Sequence, residues 1–312
     1  MLADCDIKKS TLNLTIAFVI ILLALIPVQF LNQRQMFINS HKESLQILAS
    51  DEAAHIGSFL DAQREKLLII ENLDDFKNAI SNPKDKAIID IAQKRINEFK
   101  NFIHNISLMN SEGIVAAGEI DLPGTDYSQH PYFLAKRKDT VFTKYSDPLR
   151  KKDYYAIIGP IYDKIDKTRI IGRIAFDIEL DQIGSMLKDF SNDYDHIYLI
   201  DNEGTILSKS EKINSDNSIS ERAVSVGAVK DCLEDLKKYE GDGDIESHEE
   251  EISEYINYRG IKVFGSHDYV PSISSCIIVE RDADEILKFS VSDALRNTFG
   301  PLFQIIFNGK SW

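Results

Sequence analysis

The sequence predicts an α+β protein in which an N-terminal transmembrane helix and a long amphipathic helix precede two tandem domains, each built on an antiparallel sheet. Three observations support this fold class. A 20-residue stretch near the N-terminus carries no charge, the residues after it have helical periodicity, and one strand-and-turn pattern then occurs twice. With 312 residues, 43% of them hydrophobic, the chain is long enough to bury two cores of ordinary domain size.

The uncharged stretch runs from Leu12 to Leu31. As a helix it would span about 30 Å, the thickness of the hydrocarbon core of a bilayer. A cleaved secretory signal has a shorter apolar region that ends in a small-x-small cleavage site, and no such site follows here. We therefore predict an uncleaved, single-pass anchor at residues 12–31. Lys8 and Lys9 precede it, so residues 1–11 should be a cytoplasmic tail and the rest of the chain should lie outside the cell membrane.

Residues 32–74 form the predicted long helix. Apolar residues recur from Leu45 to Ile70, mostly at intervals of three and four, which is typical of an amphipathic helix. The apolar stripe could pack on its own domain, which we favour, or on a second copy of the chain, and a homodimer through this helix is expected. Asp74 and Asp75 interrupt the pattern, and Pro83 opens a further helix.

After Lys100 the period changes to that of strands, and the pattern repeats. Residues 110–113 and 201–204 are hairpin-turn signals, and the two copies align with an offset of 91 residues. A strand that runs into a helix also occurs twice, from Ile170 and from Ser274, each closed by acidic residues that suit a helix start. We predict two domains, residues 75–187 and 188–287, each an antiparallel sheet with helices on one side.

Composition and motifs exclude several function classes. The formal charge of −14 argues against nucleic acid as a partner, because binding it needs a basic surface. The sequence contains no Walker-type loop, H-E-x-x-H helix or G-x-S-x-G elbow. Asp242 and Asp244 resemble the start of a calcium loop, but the required Gly and Glu are out of register, which favours a solvated acidic loop. We predict no catalytic residue, metal or cofactor.

The three cysteines, Cys5, Cys232 and Cys276, have no metal-site spacing. In an oxidising compartment Cys232 and Cys276 could form a disulfide, and two partly buried free thiols are the alternative.

The order and spacing of several segments resemble the double Cache sensor family, whose members place two PAS-like domains outside the membrane behind a long helix. The resemblance covers about Ser40 to Leu287 and is carried by Asn110 to Val115, GTDYSQHPYFLAKR from Gly124, YYAIIGPIYD from Tyr154, IIGRIAFDIELDQI from Ile170 and IYLIDNEGTIL from Ile197. It implies the sensor half of a histidine kinase, chemoreceptor or cyclase. The ligand pocket would lie in the membrane-distal domain, residues 75–187, and the membrane-proximal domain, residues 188–287, would relay the change inward.

Family members that bind amino acids carry an Arg and an aromatic pair in the segment that matches His130, Tyr132 and Phe133. They also carry a Tyr-x-Asp, which matches Tyr145 and Asp147, and a later Asp, which matches Asp177. His130 replaces that Arg here, and imidazole cannot reproduce its bidentate capture of a carboxylate. Acidic and aromatic side chains would suit an ammonium group, and the expected ligand is an amine, amino acid or organic acid. The implied ligand-binding residues are Tyr127, His130, Tyr132, Phe133, Tyr145, Asp147, Tyr155 and Asp177.

These residues also have structural alternatives. Tyr132 and Phe133 could be core residues, Asp177 could pair with Arg173 or cap the next helix, and His130 could be a surface residue. The expected function is extracytoplasmic small-molecule sensing. The alternative is a membrane-anchored module that binds another envelope protein without a small ligand, and an anchored hydrolase is the least favoured.

Residues 288–312 should form a C-terminal helix that leads back to the membrane. The apolar run from Phe299 to Phe307 has nine residues, which is too short to span a bilayer. We therefore expect either a receptor that is cut short here or a tail on the membrane surface. No kinase, cyclase or other output domain is recognised.

Overall fold

The computed structural model describes residues 2–99, 104–130, 133, 140–147, 152–190, 195–210, 226–239, 252 and 254–308. Side chains are described in these ranges except at residues 2–25, 104, 147, 190, 239, 289 and 298–308.

A single helix, α1 (Leu2–Ile70), covers both the predicted anchor and most of the predicted long helix. Its buried stripe contains Leu45, Ala49, Ile56 and Leu60, all fully buried. This stripe packs on the chain's own second sheet and last helix, as favoured from the periodicity. Among the residues with described side chains, none of the helices is long and apolar enough to cross a bilayer. Most of the predicted span at 12–31 lies outside those residues, so the anchor stays a prediction.

Two short helices follow, α2 (Asp74–Ser81) and α3 (Lys86–Phe99). The first sheet has five antiparallel strands in the order β2-β1-β5-β4-β3. They are β1 (His104–Asn110), β2 (Val115–Gly118), β3 (Val141–Asp147), β4 (Lys152–Tyr162) and β5 (Ile170–Glu179). Helix α4 (Leu180–Phe190) then leads to the second sheet.

The second sheet has the same order, β7-β6-β10-β9-β8, again fully antiparallel. Its elements are β6 (Asp195–Ile200), β7 (Ile206–Lys209), α5 (Gly227–Tyr239), β8 (Glu254–Ile256), β9 (Lys262–Val270), a 3-10 turn (Pro271–Ile273) and β10 (Ser275–Asp282). Helix α6 (Ala283–Asn308) ends the described chain and packs along α1. The predicted α+β class with two antiparallel sheets is confirmed.

The two hairpin turns are built alike, which supports the predicted repeat. The Asn110 side chain accepts hydrogen bonds from the backbone N–H groups two and four residues later, and the Asp201 side chain does the same. Gly113 and Gly204 close the turns at φ values of 86° and 79°, in the left-handed region that favours glycine.

A disulfide joins Cys232 on α5 to Cys276 on β10, with their Cα atoms 6.5 Å apart. The bridged alternative is therefore the one found, and it holds α5 on the outer face of the second sheet. Both cysteines are fully buried.

Candidate functional site

The two faces of the first sheet differ in what covers them. Residues such as Ile157, Ile174 and Phe176 point to the face covered by α1, α2 and α3 and belong to the main core. Successive strand residues alternate between faces, so their neighbours lie on the opposite side. That second face carries a separate cluster, composed of Met109, Val115, Tyr145, Tyr154, Ala156, Ile158 and Ala175.

Asp177 is a buried carboxylate on this second face, with 2% of its surface exposed. It lies opposite Ala156 on β4. The Tyr145 hydroxyl donates a hydrogen bond of 2.8 Å to Asp177 Oδ2, and the Asn105 side-chain amide donates another to the same oxygen. A buried carboxylate is costly unless it is hydrogen-bonded, so these donors hold it in place.

Asn105 reaches Asp177 because β1 is irregular at this point. The pairing of β1 with β5 shifts register between His104 and Ser107, and Asn105 has a φ of 50°. Asn tolerates this left-handed backbone better than most residues. Because the carboxylate can only accept, the amide nitrogen faces Asp177, and the Asn105 Oδ1 points elsewhere. That oxygen is buried and has no hydrogen-bond partner among the described residues.

An unpartnered buried acceptor costs about 1–3 kcal/mol. A ligand that brings an N–H donor to Asn105 Oδ1 would remove this cost. The Asn105 carbonyl therefore marks a place beside Asp177 where the protein itself supplies no donor within the described chain.

Four aromatic rings line the same face of the sheet, and each ring contacts the next. The ring centroids of Tyr127 and His130 are 4.6 Å apart, those of His130 and Tyr145 are 4.9 Å apart, and those of Tyr145 and Tyr154 are 5.3 Å apart. The second of these contacts brings the segment after β2, which contains Tyr127 and His130, onto β3 of the sheet. The rings form one continuous wall next to Asp177.

A second carboxylate fixes this covering segment. The Tyr127 hydroxyl donates to Asp121 Oδ1 at 2.6 Å, and the Ser107 hydroxyl donates to Asp121 Oδ2. Asp121 is 9% exposed, and Ser107 on β1 is fully buried. The face is therefore acidic at two points.

The profile of the Cache domain family matches residues 33–288, most of the chain. This chain belongs to the double Cache family. The resemblance inferred from the sequence is thereby confirmed. No curated protein sequence matches the chain.

Solved double Cache domains share the fold. The sensor domain of the V. cholerae histidine kinase DctB has a TM-score of 0.58 and 16% identity, covering 80% of this chain and 98% of that one. The Campylobacter jejuni chemoreceptor Tlp3 domain with L-valine has a TM-score of 0.56 and 16% identity, and the Pseudomonas fluorescens CtaA domain with L-isoleucine has 0.56 and 17%. Each of these two covers 82% of this chain and 98% of its own. At such identities the likeness shows the fold alone.

The double Cache structure brings together four of the residues implied by the resemblance, namely Tyr127, His130, Tyr145 and Asp177. Phe133 is half-buried, and its ring lies against Gly113 at the β1–β2 turn. Tyr132 and the side chain of Asp147 lie outside the described residues.

Tyr155 is not brought to this face. It lies on the side of β4 that faces the main core, and its hydroxyl is 3.1 Å from Ser275 Oγ of β10. Burial raises the pKa of the Tyr155 hydroxyl. Its neighbour Tyr154 lies on the Asp177 face instead, because strand side chains alternate. We therefore leave Tyr155 out of the candidate site.

The pairing of Asp177 with Arg173 was one structural alternative. Both lie on the same face of β5, but four residues of extended strand separate their Cα atoms by about 13 Å. Asp177 instead accepts hydrogen bonds from Asn105 and Tyr145. Arg173 is 6% exposed, and this burial lowers its pKa.

Sequence reasoning missed Asn105, Ser107, Asp121 and Tyr154. The left-handed backbone and strand irregularity that aim Asn105 at Asp177 leave no recognisable pattern in one sequence. Within the part of the chain that the structure describes, His, Cys, Asp and Glu side chains form no group of three that could hold a metal ion.

Proposed function

We propose that this double Cache chain is the extracytoplasmic sensor of a membrane receptor and that its distal domain binds a small molecule with a primary ammonium group. The observation that carries the proposal is the pair formed by the buried Asp177 carboxylate and the unpartnered Asn105 Oδ1 beside it. The chain would be anchored at residues 12–31 and would pair with a second copy through α1.

An ammonium group fits these two acceptors. It has three N–H donors and a positive charge, so it can satisfy Asn105 Oδ1 and neutralise Asp177 at once. The rings of Tyr145 and His130 would flank its apolar part, and neutral tyrosine faces also attract cations. Tlp3 and CtaA are described in complex with L-valine and L-isoleucine, which carry such a group.

The surroundings favour an amine over a carboxylate as the recognised group. Asp121 and Asp177 would both repel an anion, and His130 lacks the paired donors of the Arg that it replaces. We therefore expect amines to bind more tightly than organic acids.

The proposed signal is a shift between two arrangements of α1. This helix contacts both domains, and the domains also touch through Tyr155 with Ser275 and through the 3.3 Å ion pair of Lys144 with Asp201. A ligand that binds one arrangement better would shift the population towards it. The change would reach the membrane through α1 and α6.

The test is a thermal-unfolding screen of the full chain in non-ionic detergent against amines, amino acids and organic acids. Ligand binding raises the unfolding temperature by mass action. At least one amine-bearing compound should do so, and Asp177→Asn should abolish the rise while Asp90→Asn, at an exposed position of α3, should not. If no compound stabilises the chain, or if Asp177→Asn responds like the unchanged protein, the proposed function is refuted.

A protein-binding module without a small ligand is the second candidate. Ile120 and Leu122, in the segment after β2, are 54% and 75% exposed and would serve such contacts. This alternative predicts no stabilisation by any compound of the screen.

A further inference from the structure

The second domain contains a counterpart of the Asp177 site. Because the two sheets have the same strand order, their paired residues can be matched one by one. The pair Ala156 and Asp177 of the first sheet corresponds to Gly265 and Glu280 of the second. Glu280 therefore occupies the position of Asp177, and it is fully buried.

The tyrosine that holds the carboxylate is also duplicated. Tyr145 pairs with Tyr154 in the first sheet, and Tyr255 pairs with Val263 at the matching position of the second. The Tyr255 hydroxyl donates to Glu280 Oε1 at 2.9 Å, as the Tyr145 hydroxyl donates to Asp177 at 2.8 Å.

Asn257 follows Tyr255 by two residues, as Asp147 follows Tyr145, so Asn257 takes the position of Asp147. Its side-chain amide donates to Glu280 Oε2 at 2.6 Å. Burial raises the pKa of Glu280, although its hydrogen bonds act in the opposite direction.

The two sites differ in what stands next to the carboxylate. The small residues Ser107 and Ala175 of the first sheet are replaced by Tyr198 and Ile278 in the second. Tyr198 is fully buried, and its hydroxyl donates to Glu280 Oε1 at 2.7 Å. The phenol group thus brings both a ring and a hydrogen-bond donor to the acid.

The face is closed above this ring. Helix α5 packs over it, with Val229, Cys232 and Leu236 in the same buried cluster as Tyr198. The disulfide to Cys276 holds that helix in place. On the first sheet, the segment containing Tyr127 lies over the acid's face.

We infer that the second domain holds a closed copy of the amine site, in which the Tyr198 side chain occupies the place of a ligand, and that this copy accepts a small aromatic amine once that side chain is removed. The domain is therefore held in an occupied arrangement by its own tyrosine. In the unchanged chain the Tyr198 side chain fills this place, so the domain takes up no ligand there. This inference rests on the proposed amine site of the distal domain for the place of the ligand, and on the contacts of Glu280 for the acid that would bind it.

The test uses Tyr198→Ala in the full chain, which leaves a buried space of the size of a phenol group. A space of this size can admit a small aromatic molecule, and Glu280 at its end supplies an acceptor for a polar group of that molecule. Benzylamine supplies a ring and an ammonium donor for Glu280, and p-cresol supplies the tyrosine side chain itself. Both should raise the unfolding temperature of Tyr198→Ala by several degrees more than that of the unchanged protein.

Glu280→Gln in the Tyr198→Ala background separates charge recognition from cavity filling. The effect of benzylamine should fall at least tenfold in apparent affinity, while that of p-cresol should persist. Asp177→Asn combined with Tyr198→Ala should leave both effects intact, so failure of the distal site and failure of this inference give different results. An equal response of the unchanged protein and Tyr198→Ala would overturn the inference, as would a benzylamine effect that does not depend on Glu280.

A milder variant covers the case in which Tyr198→Ala does not fold. Tyr198→Leu keeps most of the apolar packing and opens only the space next to Glu280. Methylammonium chloride should stabilise Tyr198→Leu more than sodium chloride does at equal ionic strength. Equal effects of the two salts would also overturn the inference.

Discussion

Glu52 on α1 gives the sharpest test of how the buried helix face is built. Its side chain is 1% exposed, and Oε2 has no hydrogen-bond partner among the described residues. Burial, with a smaller contribution from the neighbouring Asp51 carboxylate, raises the pKa of Glu52 from 4.5 to about 7. The folded state thus holds a proton on Glu52 at pH values where the unfolded chain has lost it.

The size and sign of the effect follow from this pKa. One pKa unit corresponds to about 1.4 kcal/mol, so the free energy of unfolding contains about 3 kcal/mol that is present below pH 4.5 and lost as the pH rises through 7. Glu52→Gln is neutral throughout and does not lose this contribution. It should therefore be more stable than the unchanged chain at pH 8, by about 2–3 kcal/mol or several degrees, and nearly equal at pH 5.

The assay is thermal unfolding of the full chain in detergent at pH 5 and pH 8, read from intrinsic fluorescence. Glu65→Gln, at an exposed position of the same helix, is the control and should change the unfolding temperature little at either pH. Burial also raises the pKa of Glu71 to about 7, but both proteins share that effect and it cancels in the comparison. If Glu52→Gln is no more stable than the unchanged chain at pH 8, the charge is not desolvated as described.

Three further predictions concern the Asp177 site, the contact between the two domains and a buried ion pair of the second sheet. Tyr145→Phe removes the hydroxyl that holds Asp177 and should weaken binding of the screened amine about tenfold by calorimetry, while Tyr154→Phe, which keeps the stacked ring, should change it less. Tyr155→Phe should lower the free energy of unfolding by about 1 kcal/mol in urea and leave affinity unchanged; a loss of affinity would return this residue to the site. Arg281→Ala removes a two-bond ion pair with a buried aspartate and should cost about 3–5 kcal/mol in urea, whereas a change below 1 kcal/mol would contradict that burial.

Part of the candidate site could be predicted from the sequence. The resemblance pointed to Asp177, Tyr145, Tyr127 and His130, and the structure brings these four together. It also pointed to Tyr155, whose hydroxyl faces the opposite side of the sheet. Adjacent strand residues point to opposite faces of the sheet. Because Tyr154 and Tyr155 are the same residue type, the sequence does not show which of the two faces the site.

The sequence by itself determined what depends on neighbours along the chain: the helical period of α1, the two turns that end in Gly113 and Gly204, and the repeated order of strands. Tertiary structure alone decided what depends on residues far apart. The amide of Asn105 meets Asp177 across 72 positions of sequence, and the hydroxyl of Tyr198 meets Glu280 across 82. Local patterns record which face of an element is apolar, whereas a buried hydrogen bond depends on how two distant elements pair, and that pairing is settled only when the sheets form.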